Sequence, residues 1–273
     1  MLINQLILGE NLQVLQQMPT HSVDLAYLDP PFFTNRQFMA IDKLSQHTRK
    51  FDDRWHGGIN EYIGWLYLRL VELHRLLKPN GSLYLHCDWH ADAYIRVQIL
   101  DVIFGSNNFL NHIVWHYVMG ASATKNFGKK YDSIFWYAKN SHQYTFNLAD
   151  IAVPYNPETI ARSKRGEARY KQVLDQTKGK NPGNVWTDIY PIQGNGTENF
   201  NYPTQKPEKL LERIILASSK PNDIILDPFV GSGTSLAVAN KLGRHWIGID
   251  ESEEAISLCQ QRLNQQNARY CIV

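Results

Sequence analysis

The sequence predicts a protein of the α/β class, built as a doubly wound, mostly parallel sheet with helices on both faces. Short apolar runs alternate with segments of helical periodicity over the first hundred residues, the same alternation resumes after residue 200, and a glycine-containing turn follows one of the later apolar runs. The length of 273 residues allows one large domain or a domain with an insertion. Hydrophobic residues make up 43% of the chain and charged residues 20%, a composition that can fill a core and is atypical of disorder.

The N-terminal part of the chain is predicted to contain two strands and two helices. The first strand spans 22–28 and the second spans 82–87. Leucine and tyrosine recur every three or four positions over 61–78, which indicates a helix with one apolar face that packs on the sheet. Pro79-Asn80-Gly81 is expected to end this helix, and 91–104 is predicted to form the next one.

The middle of the chain differs in composition from both ends. Residues 113–118 and 134–137 are rich in β-formers, and the alternation of strands and helices is interrupted. We predict that 112–200 is an insertion into a domain formed by 1–111 and 201–273. Six aromatic residues are expected to form a small core of this insertion: Trp115, Tyr117, Tyr131, Phe135, Trp136 and Tyr137.

Regular alternation is predicted to return in the C-terminal part. A helix is expected over 207–219, followed by a strand over 223–226 and a glycine turn. The next helix starts at Thr234, a further strand spans 245–249, and the last helix starts at Ser252. These elements complete the doubly wound sheet.

Charge is distributed unevenly along the chain. Residues 121–180 contain 11 Lys and Arg against 5 Asp and Glu, a balance of +6, whereas the rest of the chain has 17 against 21, a balance of −4. A basic middle suggests a surface that faces a polyanion, although such a run is also typical of an ordinary solvated face.

The sequence also bears on where the protein works. Cys87, Cys259 and Cys271 include no C-x-x-C pair, which argues against a disulfide framework and a structural zinc site. No run approaches the roughly 18 apolar residues that span a bilayer, and the first residues lack a basic region and a cleavage site. We therefore expect a cytoplasmic protein that is neither exported nor membrane-bound.

A glycine turn after the 223–226 strand has the features of a cofactor loop. Gly231 and Gly233 allow a close approach of the backbone to a ligand, and Asp250 ends the next strand at an offset that suits hydrogen bonds from ribose hydroxyls. The P-loop lysine and the third glycine of the dinucleotide fingerprint are both missing. An adenosine cofactor without pyrophosphate, such as S-adenosylmethionine, fits this pattern; an ordinary tight turn is the alternative.

The segment Asp29-Pro30-Pro31-Phe32 follows the first predicted strand and has an unusual composition. The prolines stiffen the loop and cannot donate hydrogen bonds, so the loop presents the Asp29 carboxylate and the Pro30 carbonyl as acceptors beside an aromatic ring. Two rigid acceptors would hold an exocyclic NH₂ and free its lone pair to attack an electrophilic methyl group, while Phe32 stacks on the base. The alternative is a rigid turn capped by the aspartate.

These segments resemble motifs of the amino-group DNA methyltransferases, which produce N6-methyladenine or N4-methylcytosine. Asp29-Pro30-Pro31-Phe32 is similar to their catalytic motif, and 227–234 is similar to their cofactor motif. Thr204-Gln205-Lys206-Pro207 resembles a further cofactor-pocket motif, and 82–88 resembles the strand after the catalytic loop. The order of these motifs is that of the β class, which implies a Rossmann-like fold and places target recognition in the insertion at 112–200.

The resemblance implies a role for each matching residue, with S-adenosylmethionine as the cofactor. Asp29, Pro30, Pro31 and Phe32 would hold the target base. The cofactor pocket would be lined by Asp29, Lys206, Asp227, Phe229, Gly231, Gly233, Thr234 and Asp250. Contacts to DNA are expected from Lys125, Lys129, Lys130, Arg162, Lys164, Arg165 and Arg169. No metal site is expected, since no second cluster of ligands accompanies His86-Cys87-Asp88-Trp89-His90.

The resemblance also implies a reaction. Aspartate at position 29 resembles the adenine-modifying members, so we expect methyl transfer to N6 of an adenine flipped out of double-stranded DNA. Methylation of cytosine N4, of an RNA amine or of a protein amide are alternatives, as is a DNA-binding regulator without activity. A cognate restriction endonuclease and a homodimer are expected as possible partners, and no membrane.

Overall fold

A nine-stranded sheet forms the centre of the molecule. The computed structural model describes residues 3–41, 48–117, 124–166, 174–175, 177–193, 196, 198–202 and 204–273. The strands are β1 (Gln5–Leu8), β2 (Val23–Leu28), β3 (Gln37–Ile41), β4 (Thr48–Asp52), β5 (Leu77–Cys87), β6 (Phe109–His116), β7 (Tyr131–Ala138), β8 (Val185–Trp186), β9 (Ile224–Asp227), β10 (His245–Asp250) and β11 (Cys271–Ile272). The α-helices are α1 (Asn11–Gln17), α2 (Gly58–Leu76), α3 (Asp92–Tyr94), α4 (Leu148–Ile151), α5 (Pro157–Lys164), α6 (Glu208–Ser218), α7 (Thr234–Lys241) and α8 (Glu253–Gln265).

The order of the strands confirms the predicted doubly wound arrangement. The sheet runs β11-β1-β10-β9-β2-β5-β7-β6-β8, and β3 and β4 form a separate antiparallel pair. All neighbours from β11 to β5 are parallel, whereas β7 is antiparallel to both β5 and β6. The chain leaves β2 toward β5 on one side and leaves β9 toward β10 on the other. The crevice at the carboxyl ends of β2 and β9 is therefore the topological switch point at which such sheets bind ligands.

Alternate residues of the central strands point to two hydrophobic cores on opposite faces of the sheet. Ala26 and Leu28 of β2 face the core formed with α1, α2 and the helix after α3, whereas Leu25 and Tyr27 face the core formed with α6, α7 and α8. All six residues of β2 are buried, as expected of a central parallel strand that is covered on both faces. The two layers of helices therefore hold the ends of β2 and β9 rigidly.

The region 112–200 is joined to the sheet more closely than the sequence predicts. Position 112 falls inside β6, and both β6 and β7 pair into the main sheet, with Leu85 opposite Phe135. The expectation of a separate aromatic core is wrong, because Trp115, Phe135 and Trp136 belong to the two cores of the sheet. Strand β7 pairs with β5, and β6 pairs with β7, so the main sheet buries these side chains without a second core. The chain leaves the sheet after β7 and returns to it as β8, which pairs with β6.

Two helix predictions differ from the structure in detail. Helix α2 ends at Leu76 instead of at position 78, because Pro79 favours an extended backbone in the residue that precedes it. The predicted helix at 91–104 consists of the short α3 and a π-helix over Ile95–Gly105. Its buried residues lie four to five positions apart over much of its length, as the wider π turn requires. Among the described residues, no helix combines the length and apolar composition that a membrane span requires.

Candidate active site

The two loops that the sequence singles out lie at the same edge of the sheet. Leu25 and Ala26 of β2 pair in parallel with Ile225 and Leu226 of β9, so the segments that follow these strands emerge side by side. Residues from both segments line one cavity of about 450 Å³. The volume falls within the usual range of small-molecule sites. The stiff proline loop and the glycine turn thus face the same space.

The carboxylate of Asp29 is held by a lysine from a distant part of the chain. Lys206 Nζ donates to Asp29 Oδ2 at 2.5 Å and to the carbonyl of Thr204 at 3.2 Å. The side chain of Asp29 is only 17% exposed, and that of Lys206 is only 9% exposed. Asp29 Oδ1 is buried and has no hydrogen-bond partner among the described residues. One oxygen is therefore fixed by the lysine, and the other is a buried acceptor with unused capacity in a residue that lines the cavity.

The backbone of the proline loop is fixed from the side of α2. Tyr62 Oη donates to the carbonyl oxygen of Pro31 at 2.7 Å. No described residue donates a hydrogen bond to the carbonyl of Pro30, which lines the cavity beside Asp29. Lys206 Nζ lies 4.9 Å from the centre of the Phe32 ring, which lines the same cavity. The loop presents two acceptors and an aromatic ring, as the sequence predicts.

A buried polar network lies against Phe32. The centre of the His86 ring is 5.7 Å from that of the Phe32 ring. His86 Nδ1 lies 3.0 Å from Tyr27 Oη, and His86 Nε2 lies 3.0 Å from Asp132 Oδ2. Burial raises the pKa of Asp132, but the hydrogen bonds from His86 and Tyr117 and the nearby charge of Lys206 together outweigh burial and hold this pKa below its usual range. An ionised carboxylate only accepts, so His86 donates from Nε2 to Asp132, and Nδ1 lies within hydrogen-bond distance of Tyr27 Oη. The network fixes the histidine ring that supports Phe32.

The cofactor-type loop contains two aspartates in unlike surroundings. Asp227 accepts from the backbone N–H of Phe229 at 3.0 Å and from the hydroxyl of Ser235. Complete burial, with a smaller contribution from the nearby carboxylates Asp29 and Asp250, raises the pKa of Asp227 to about 7. Asp250 accepts from the N–H of Gly231 at 2.9 Å, and burial also raises its pKa. A cationic ligand in the cavity would relieve this accumulation of carboxylates.

The two glycines of the turn have different surroundings. Gly231 lines the cavity, and a Cβ at this position would lie 3.0 Å from the ring of Tyr202. Gly233 does not line the cavity: it caps α7 with φ = 74°, and a Cβ there would lie 2.8 Å from Cys259 Sγ. Thr234 lines the cavity, and its hydroxyl donates to the carbonyl of Lys206 at 3.1 Å. This bond joins the two predicted cofactor motifs.

Several residues that line the cavity were not predicted. Glu10 and Asn11 follow the four-residue strand β1, which is too short to stand out in the sequence but ends at the same edge of the sheet. Asn11 donates to the carbonyl of Pro228 at 2.9 Å and accepts from Arg69 at 2.6 Å. The unpredicted aromatic residues of the lining are Tyr27, Trp55, Trp65 and Tyr202. The ring of Trp65 lies 5.6 Å from that of Phe229 and thus continues the aromatic wall of the glycine turn.

The predicted DNA-contacting residues fall into two groups. The first group lies in the connection between β6 and β7 and consists of Lys125, Lys129 and Lys130. This connection leaves the sheet at the edge that carries Asp29, because Cys87 at the end of β5 pairs with Ser133 near the start of β7. The second group lies on α5 or directly after it and consists of Arg162, Lys164 and Arg165. Arg169 lies outside the described residues.

The lining of the cavity fits an adenosine cofactor that carries a positive charge. Carboxylates outnumber basic groups, and both basic groups, Arg69 and Lys206, are paired with acids. Trp65 and Phe229 offer apolar faces to a planar ring. Asp250 retains accepting capacity for hydroxyl groups beyond the two backbone N–H bonds that it receives. These carboxylate acceptors and aromatic faces therefore suit S-adenosylmethionine better than a phosphate-bearing nucleotide.

Solved structures share the fold. PvuII DNA methyltransferase, which is cytosine-N4-specific, superposes with a TM-score of 0.66 at 18% identity, covering 95% of this chain and 86% of its own. TTHA0409 of Thermus thermophilus, crystallised with S-adenosyl-L-methionine, gives a TM-score of 0.63 at 21% identity, covering 98% of this chain and 96% of its own. At these identities the likeness establishes the fold.

Sequence relatives are closer than the solved structures. The DNA adenine methyltransferase YhdJ of Escherichia coli (strain K12) is 36% identical over 262 residues, which cover 95% of this chain and 82% of the relative. The type II methyltransferase M.HpaI of Haemophilus parainfluenzae is 32% identical over 262 residues, which cover 96% and 74%. The profile of a family described as DNA methylase, which joins N6 and N4 enzymes, matches residues 23–261. This chain belongs to that family and is a DNA methyltransferase that acts on exocyclic amino groups.

Proposed function

We propose that this DNA methyltransferase transfers a methyl group from S-adenosylmethionine to the exocyclic N6 of an adenine that has been flipped out of duplex DNA. The observation that carries the proposal is the pairing of Asp29 with Lys206, which leaves Asp29 Oδ1 as a buried acceptor without a partner among the described residues. Asp29 lines the same cavity as the glycine turn. An amino group of a base is a donor of the kind that such an oxygen lacks.

The residues of the loop act as a clamp on the target amine. Asp29 Oδ1 accepts one N–H and the Pro30 carbonyl accepts the other, and both positions are fixed before the base arrives. Pre-set acceptors of this kind can contribute several kcal/mol, because the site does not reorganise during the reaction. Holding both N–H bonds favours a pyramidal nitrogen whose lone pair points away from the clamp.

The chemistry requires few other groups from the protein. When bound, S-adenosylmethionine supplies an electrophilic methyl group on a sulfonium, whose C–S bond breaks as the new N–C bond forms. The product amine must then lose one proton, and Asp29 Oδ1 is the acceptor already in contact with it. Phe32 would stack on the base, a contact typically worth about 1–3 kcal/mol, which offsets part of the cost of unstacking. His86 behind Phe32 keeps the ring from turning away.

The choice of adenine is supported by the acid at position 29 and by the relatives. The E. coli relative at 36% identity is an adenine methyltransferase by name. The structural neighbour that is cytosine-N4-specific is 18% identical, too distant to carry a preference for the base. Cytosine N4 remains the alternative target within the family.

DNA contacts are proposed for the basic groups and for the region 112–200 as the site of target recognition. Lys125 and Lys129 are exposed in the connection that leaves the catalytic edge of the sheet, and Phe127 between them is 98% exposed. Lys129 Nζ lies 3.0 Å from the centre of the Trp89 ring, which anchors the connection beside the end of β5. A duplex bound along this edge would bring phosphates to the lysines while the target base enters the cavity.

Two partners are also proposed. The relatives named as type II methyltransferases support a cognate restriction endonuclease, and protection of host DNA against cleavage by that endonuclease would test it. A homodimer is the proposed state in solution, and light scattering coupled to size-exclusion chromatography would test it.

The reaction can be tested directly with the purified protein. Unmethylated plasmid DNA is incubated with S-adenosylmethionine labelled in the methyl group, digested to nucleosides and analysed by mass spectrometry. N6-methyladenine is the expected product. N4-methylcytosine would overturn the choice of base, and the absence of methylated nucleosides would overturn the activity. Single-molecule sequencing of the modified plasmid gives the recognition sequence for the assays below.

A further inference from the structure

The backbone directly after the catalytic loop is strained. Phe33 has φ = 61° and Asn35 has φ = 54°, both in the left-handed region. A bulky side chain such as phenylalanine rarely adopts this conformation, because its Cβ approaches the neighbouring carbonyl. Such residues persist where surrounding contacts over-determine them, and they cluster at functional sites. Some group must therefore hold this segment in place.

One carboxylate meets that requirement. Asp53 is 1% exposed, and its Oδ1 accepts from the backbone N–H of Phe33 and from Trp55 Nε1, both at 3.0 Å. Its Oδ2 accepts from the backbone N–H and the hydroxyl of Thr34, both at 2.6 Å. Four donors match the accepting capacity of a carboxylate. Two of them are the consecutive backbone N–H groups of the strained segment.

Further bonds join the same two stretches of chain. The N–H of Asp53 donates to the carbonyl of Arg36 at 3.0 Å, and the N–H of Trp55 donates to Asn35 Oδ1 at 3.2 Å. The segment from which the antiparallel pair β3–β4 departs is thus tied to the segment to which it returns. Asp53 therefore joins the two ends of the β3–β4 hairpin, and it also lines the cavity.

The hydrogen bonds that Asp53 accepts are linked directly to the reacting groups. Phe33 follows Phe32, so a change in the dihedral angles of Phe33 turns the chain on which Phe32 and the Pro30 carbonyl sit. On the preceding side, Tyr62 fixes the Pro31 carbonyl at 2.7 Å. The ring of Trp55 packs on that of Tyr62 at 5.0 Å, so the two anchors support each other. Phe32 is therefore held between one fixed carbonyl before it and two fixed N–H groups after it.

We propose that Asp53 is a positioning residue for methyl transfer, which holds Phe33 and Thr34 in the strained conformation that aims the Asp29 and Pro30 acceptors at the target amine. Asp53 acts through the loop. The inference rests on the proposed function, since it concerns the same reaction.

Asp53→Asn is the decisive variant because it keeps the volume of the side chain. The amide offers one acceptor oxygen, and its NH₂ group must face either the Phe33 N–H or the Thr34 N–H. We expect kcat to fall by roughly 10- to 100-fold, since small misplacements of reacting groups have effects of this size. The KM values for DNA and for S-adenosylmethionine should stay within about twofold, because none of Lys206, Asp227 and Asp250 is hydrogen-bonded to the Asp53 side chain. A purely structural role would move kcat and KM together with the melting temperature.

Asp101→Asn is the matched control. Asp101 also accepts a hydrogen bond from an aromatic side chain, Tyr137 Oη at 2.6 Å, but it does not line the cavity. This variant should leave kcat within twofold of the unmodified protein. Thr34→Val removes the hydroxyl that donates to Asp53 Oδ2 and leaves Asp53 itself unchanged. This second variant replaces Asp53→Asn in the test if Asp53→Asn does not fold. A loss of about threefold or more in kcat at unchanged KM supports the proposal, and an unchanged kcat overturns it.

The outcomes separate this inference from the proposed function. The substrate is a duplex that carries the sequence methylated by the unmodified protein, and kcat and KM are measured by transfer of labelled methyl groups. If the unmodified protein forms no N6-methyladenine, the proposed function fails. If it does, and Asp53→Asn retains kcat within twofold or loses cofactor affinity in parallel with kcat, the role of Asp53 is overturned.

Discussion

The pairing of Asp29 with Lys206 makes Asp29→Asn the most informative substitution at the site. In the unmodified protein, Oδ2 is occupied by Lys206 Nζ at 2.5 Å, and Oδ1 is left to accept the target amine. Asparagine has the same shape but only one acceptor oxygen. Its oxygen must therefore serve either the buried ammonium or the substrate. In both arrangements an NH₂ group faces another donor.

The size of the effect follows from the bond that is lost. A hydrogen bond to a charged group contributes about 1.5–3 kcal/mol, and each 1.36 kcal/mol of transition-state stabilisation corresponds to about tenfold in rate. We expect kcat of Asp29→Asn to fall by roughly 10- to 150-fold. Asp29→Ala removes both bonds and should lose at least about 10²- to 10⁴-fold. Single-turnover transfer of labelled methyl groups measures the rate, and isothermal titration of the cofactor should show a smaller change in its Kd.

A second aspartate–lysine pair, in which the aspartate is buried, provides the control. Asp24 lies at the opposite end of β2 and accepts from Lys78 Nζ at 2.7 Å and from the N–H of Ile224 at 2.9 Å. Asp24→Asn should lower the free energy of unfolding, because it weakens the same kind of contact, but leave kcat within about twofold. A rate for Asp29→Asn within twofold of the unmodified protein would refute the clamp on the amine.

Three further predictions follow from the geometry. Changing Lys125 and Lys129 to Gln should reduce the slope of log affinity for DNA against log salt by about two, as measured by anisotropy; an unchanged slope would exclude phosphate contacts. Burial raises the pKa of Asp227 to about 7, so stability from this group is present below its unfolded pKa of about 3.9 and is lost as pH rises through 7. In cofactor-free protein, Asp227→Asn should therefore lessen the decline of unfolding free energy between about pH 5 and pH 8, measured in urea; an equal decline in both proteins would contradict this. Gly233→Ala and Gly243→Ala should each lower the free energy of unfolding by at least about 1 kcal/mol, since both glycines have positive φ. The loss should be larger for Gly233→Ala, because the sulfur of Cys259 lies 2.8 Å from the added Cβ; equal losses in thermal unfolding would argue against that contact.

The parts of the site that could be predicted from sequence are those in which function is concentrated in a short segment. The prolines of Asp29-Pro30-Pro31-Phe32 restrict the backbone and the glycines of the turn widen its choice of conformations, so their effects can be inferred without knowing what surrounds them. The parallel sheet could be predicted because its apolar runs and helical stripes recur at regular spacing. Their meeting at one cavity follows from the rule that ligands bind at the carboxyl ends of such strands.

The parts that could not be predicted depend on single side chains brought together from distant positions. Asp53 lies 20 residues from Phe33, after a hairpin, and no pattern in the sequence marks it as the partner of that backbone. Strand β1 has four residues, too few for a periodicity to emerge. Strands β6 and β7 are rich in β-formers like an independent β segment, and only the pairing of β7 with β5 places them in the main sheet. Sequence patterns describe faces but not the partners that cover them.

The distribution of charge around the cavity supports the proposal that the target base is flipped out of the duplex. Seven acids and two basic residues line the cavity: Glu10, Asp29, Asp53, Asp227, Asp250, Glu251 and Glu254 against Arg69 and Lys206. Such a cavity attracts a cationic cofactor and repels phosphate over about 10 Å at moderate salt. The basic residues that suit phosphate lie outside it, in the connection between β6 and β7. In the proposed complex, the backbone of DNA stays at the rim beside the lysines, and the uncharged base enters the acidic cavity. Extrusion of a single nucleotide satisfies both conditions, whereas an intact duplex would bring its phosphates against the carboxylates.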